Sequence, residues 1–77
     1  MKTVEMKKMI QARAKESDIN IRNYSKIKII HHVAKLGNPW VIEHDYIFEY
    51  NGHRYGQTSR VTGYHSALLK NRTVIIA

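Results

Sequence analysis

The chain contains no cysteine, a single proline, one tryptophan and one phenylalanine, only six acidic side chains, and no long apolar run. Without cysteine there is no disulfide framework, none of the thiolate ligand sets of structural zinc sites, and no thiol nucleophile. The shortness of the apolar runs excludes a membrane-spanning helix. Over Met1–Lys8 apolar and charged positions alternate, which does not fit the apolar stretch of a signal peptide. A cytoplasmic location is therefore expected. No P-loop, nucleophile elbow or paired-carboxylate arrangement occurs, so neither an enzyme nor a cofactor is expected. At 77 residues the chain has room for one core, over 1–77, and a domain this short commonly leans on a partner.

Thirteen Lys and Arg side chains against those six acids give a net charge of +7, and the excess is uneven. Residues 1–36 carry nine basic and three acidic side chains, residues 37–50 carry Glu43, Asp45 and Glu49 with no base, and residues 51–77 carry four bases. A surplus of this size on so small a domain is the electrostatic footprint of a nucleic-acid binder. An acidic protein surface satisfies the same charge.

Asn51-Gly52 is the sharpest local signal. Asn-Gly favours a two-residue type I′ hairpin, because both central residues must take a positive φ. Tyr50 then faces His53, and the register follows outward: Glu49 with Arg54, Phe48 with Tyr55, Tyr46 with Gln57, Glu43 with Arg60 and Ile42 with Val61. Side chains alternate across the ribbon, so Tyr46, Phe48, Tyr50 and Tyr55 share one face, while Glu49, Arg54, Glu43 and Arg60 share the other. Cross-strand pairs of this kind contribute roughly 0.2–1 kcal/mol each and pin the register. The economical use of Tyr46, Phe48 and Tyr55 is as core; exposed, they would stack bases.

Residues 3–16 read as a helix, with Met6, Met9, Ile10 and Ala14 on one side and Lys8, Gln11 and Lys15 on the other. Ser25–Leu36 reads as a second helix, with Ser25 as N-cap and Gly37 followed by Asn38-Pro39 as its stop. Its β-branched content argues the other way, for a second hairpin that would pair 19–22 with 27–30. Strands follow at 40–50 and 53–61, a short helical turn at 66–70, and a C-terminal β-branched strand at 73–76. The expected architecture is α+β, two N-terminal helices packed on a small antiparallel sheet made of the hairpin and the last strand.

On that plan Lys28, His31, His32 and Lys35 form the polar face of the second helix. With Lys8 and Lys15 on the first, and Arg54 and Arg60 on the hairpin, they are the candidate contacts to DNA or RNA phosphate and bases. Tyr50 and His53, beside the turn, are candidate contacts to a protein partner. That partner class would make the chain an adaptor or inhibitor, of the sort phages and mobile elements encode, which attaches to a host protein or defence complex. A homodimer through the 73–76 edge strand is compatible with either use. The five histidines do not converge: His31 and His32 are adjacent, and in the hairpin register His44 and His53 fall at opposite ends. No metal site is expected.

Overall fold

The computed structural model describes residues 3–38, 41–62 and 68–77. One helix, α1 (Thr3–Lys15), precedes four strands, β1 (Lys28–Asn38), β2 (Val41–Tyr50), β3 (His53–Thr62) and β4 (Leu68–Ile75). The strands form a single antiparallel sheet in the order β1-β2-β3-β4, and α1 packs against β3 and β4. The α+β class is as expected, with one helix in place of two.

The hairpin forms as the turn dictates. Asn51 and Gly52 both take positive φ, 52° and 81°, and β2 pairs with β3 in the expected register from Tyr50 opposite His53 to Ile42 opposite Val61. Phe48 and Tyr55 stack with ring centroids 5.1 Å apart. The Tyr46, Phe48 and Tyr55 side chains are buried, so the core use of the aromatic face is the observed one.

The expected second helix is a strand, and the reason lies in its side chains. Ile27, Ile29, Ile30 and Val33 are β-branched and gain more from a pleated surface than from a helix. As β1 the segment sets Lys28 opposite Glu49, Ile29 opposite Phe48, His32 opposite Tyr46 and Lys35 opposite Glu43, so charge meets charge and ring meets ring. A register shift between Ile29 and His31 leaves Ile30 as an exposed extra residue. The positions on the α1 side of the sheet are therefore 29, 32, 34 and 36, and the single step of three imitates helical spacing. The Ser25 N-cap signal is spent elsewhere: Asn23 Oδ1 accepts from the Ser25 N–H at 3.1 Å and starts a 3-10 turn, Tyr24–Lys26. The alternative hairpin of 19–22 with 27–30 does not form either, since β1 pairs only with β2. Leu68–Lys70, placed in a helical turn by the sequence, are the first residues of β4; the rest of that turn lies outside the described residues.

One face of the sheet is covered. Ile10 and Ala14 of α1, Ile21 and Ile27 of the connecting segment, and Tyr46, Phe48 and Tyr55 of the sheet form the buried core, with Met6, Ile19, Tyr24, Ile29 and Tyr50 packed against it. The stripe expected on α1 is the one used, Ile10 and Ala14 being fully buried and Met6 and Met9 half-buried. Polar groups fasten the helix to the sheet as well. Gln57 Nε2 donates to the Ile10 carbonyl at 3.1 Å and to Thr73 Oγ1 at 3.0 Å. Arg13 donates to Ser59 Oγ at 3.0 Å, and Asn71 Nδ2 donates to the Arg13 carbonyl and to Glu16. Asp18 takes a left-handed φ of 61° just past α1, which ends the helix and brings Ser17 Oγ to the Thr73 N–H at 3.0 Å.

Among the described residues no helix is long and apolar enough to cross a membrane.

Candidate nucleic-acid interface

Basic side chains gather at the end of the molecule that carries the Asn51-Gly52 turn. Tyr50, His53 and Arg54 of the hairpin and Lys26 and Lys28 of the segment entering β1 line a shallow cleft there, together with Glu49. Two elements position them. The 3-10 turn delivers Lys26 beside the start of β1. The Tyr50 hydroxyl accepts from the Arg22 N–H at 3.1 Å and the Asn23 N–H at 3.4 Å, which ties the hairpin to that entering segment and sets Arg22 at the same end.

The helix adds its first turns to this end. Lys7 Nζ donates to the Ser25 carbonyl at 3.5 Å, and Lys8 Nζ sits 5.4 Å from the Tyr24 ring centroid, a cation–π contact. Lys7, Lys8, Arg22, Lys26, Lys28 and Arg54 thus share one end with the Glu49 carboxylate. Arg54 Nη2 donates to Glu49 at 2.8 Å. That hydrogen bond, more than any other influence, holds the Glu49 carboxyl below the usual carboxylate range, so its charge is already answered.

Chemically this arrangement suits the phosphate backbone of a nucleic acid. Ammonium and guanidinium groups on separate elements present several donors to successive phosphates. His53, exposed at the turn with its ring edge-on to Tyr55, adds a ring N–H donor.

Compared with family models, with curated proteins and with solved structures, the chain gives no match.

The sequence-derived candidates divide by place. Lys8, Lys28, Arg54, Tyr50 and His53 come together at the turn end, although Tyr50 is half-buried and its hydroxyl is taken up internally. Lys35 and Arg60 lie at the other end of the sheet, paired with Asp45 at 3.8 Å and Glu43 at 2.6 Å. His31 pairs with Ile47 on the open face. Lys15 sits at the far end of α1, about 10 Å along the axis from Lys8 at 1.5 Å per residue. Lys7, Arg22 and Lys26 were missed by sequence reasoning, because an N-terminal helix face and a second helix gave them no common location. For Arg22 and Lys26 the available signal was the density of basic residues between 22 and 28.

His32 faces inward and enters a different cluster. Its Nε2 lies 3.1 Å from His44 Nδ1, and it stacks on Tyr46 with centroids 4.3 Å apart. Burial, with His32 and Arg13 as neighbouring positive groups, lowers the His44 pKa, and Asp45 only partly opposes them. Burial also raises the pKa of Tyr46, whose hydroxyl finds no hydrogen-bond partner among the described residues. No three His, Asp or Glu side chains among the described residues converge as a metal-ligand set.

Proposed function

We propose that the protein is a non-enzymatic nucleic-acid-binding module whose turn end grips the phosphate backbone of DNA or RNA. The observation that supports this reading is the convergence of Lys26, Lys28, His53 and Arg54 on one cleft, with Lys7, Lys8 and Arg22 on the same end. The expected contact surface therefore moves from the helical faces to the junction of helix, 3-10 turn and hairpin. Tyr46, Phe48 and Tyr55 contribute no base stacking, because they are buried. Binding by this surface is set by charge and is insensitive to sequence.

The test is fluorescence anisotropy of labelled duplex DNA, single-stranded DNA and RNA across a salt series. The parent binds with a steep salt slope. Lys26→Ala and Lys28→Ala each lower the slope by about one unit, the loss of one phosphate contact. Lys35→Ala, at the far end and paired with Asp45, leaves it unchanged. Equal slopes for Lys28→Ala and the parent would remove the proposed surface, and absence of binding near physiological salt would remove the function.

A further inference from the structure

We propose that the open face of the sheet carries a groove for a short segment of a partner protein that sets a carboxylate beside an aliphatic side chain. This surface is separate from the turn end, on the side of the sheet that α1 does not cover.

The groove is made by a missing side chain. Gly56 sits in the middle of β3 between Ile47 on β2 and Val74 on β4. Its φ is not positive, so the backbone there does not require glycine. Nor does space: a Cβ on Gly56 would lie 3.8 Å from Ile76 Cγ2 and 3.9 Å from Val74 Cγ2, ordinary van der Waals distances. Glycine within a strand is destabilising relative to alanine, and here it leaves a trough floored by backbone. Ile47, Val74 and Ile76 wall that trough, and Val74 and Ile76 are 37 % and 51 % exposed.

Charge identifies the occupant. Arg60, Arg72 and Asp45 also line the trough. The carboxylates of the face are all engaged: Glu43 with Arg60, Glu49 with Arg54, and Asp45 with Lys35 and with Thr58 Oγ1 at 3.0 Å. Arg72 stands opposite Thr58 and has no carboxylate partner among the described residues. An apolar trough beside an unanswered guanidinium fits an aliphatic side chain with a neighbouring Asp or Glu, and the guanidinium can hold that carboxylate through two donors.

The test uses fluorescein-labelled octapeptides of alternating Leu and Asp, with Leu-Lys and Ser-Asp octapeptides as comparators. The Leu-Asp peptide binds the parent, and the comparators bind at least about tenfold more weakly, a difference of about 1.4 kcal/mol. Gly56→Val, which fills the trough, and Arg72→Glu, which reverses its charge, each weaken the Leu-Asp peptide by a similar factor. Urea unfolding reports the fold of each variant, and Gly56→Val keeps or raises the parent midpoint. Gly56→Val also keeps the parent affinity for duplex DNA, so loss of the groove and loss of the turn-end surface are read apart. Undiminished peptide binding by folded Gly56→Val, equal binding of the Leu-Lys peptide, or no Leu-Asp binding up to millimolar peptide would each overturn the proposal.

Discussion

The two faces of the sheet are built from the same four strands and differ in everything but their backbone. The inner face presents Phe48, Tyr46, Tyr55, Gln57, Ser59 and Thr73, all buried. The outer face presents an acidic column, Glu43, Asp45 and Glu49 on β2, between cations on β1 and β3. On the inside, burial sets which residue faces which, because a one-residue slip would turn every aromatic ring into water. On the outside, charge enforces the same register at far lower cost per pair. Stability thus resides in one face, which leaves the other open to ligand chemistry.

Removing an inner ring is the hardest test of that division. Phe48→Ala should cost about 3–5 kcal/mol, seen as a lower urea midpoint with an unchanged m-value. Gln57→Ala removes the bonds that join α1 and β4 through one side chain. A loss of about 1–3 kcal/mol is expected from the lost tie to α1 and the Thr73 hydroxyl left without its Gln57 donor.

Acid sharpens the comparison without a large mutation. The ordinary imidazole value of 6.5 applies to the unfolded chain, and His44 lies below it in the folded one. The unfolded state therefore takes the proton first. The His44 contribution is present above pH 6.5 and is lost as pH falls through the lowered folded value. The urea midpoint should drop from pH 7.5 to pH 5, and His44→Gln should flatten that drop. On the outer face Glu43→Ala, which breaks the pair with Arg60, should cost less than about 1 kcal/mol, and its cost should shrink further in high salt.

The legible parts of the fold were those in which local chemistry and tertiary contact agree. Asn51-Gly52 demanded positive φ and received it, and every cross-strand pair of the hairpin followed from that one turn. Met6, Met9, Ile10 and Ala14 marked the buried side of α1 for the same reason. At 25–36 the two levels disagree. Ser25 and Gly37 are real helix punctuation, and the bulge at Ile30 breaks the alternation that would have announced a strand. The partner that decides the matter, β2, is invisible to any local window. The candidate site inherited that error: Lys28 and Lys35, placed one above the other on a helix, sit at opposite ends of a strand. Only Lys28 reaches the turn end, and Lys26 entered the site with it.

The Tyr50 hydroxyl, held by the Arg22 and Asn23 N–H groups, has a kinetic consequence. On the proposed function it fixes the cleft in advance, so that the polyanion would meet a preorganised surface and no loop would have to be ordered during the encounter. Association should then run at a rate governed by diffusion and long-range attraction, falling steeply as salt is added. Tyr50→Phe, which frees the tip while leaving every cation in place, should slow capture and leave the salt slope alone.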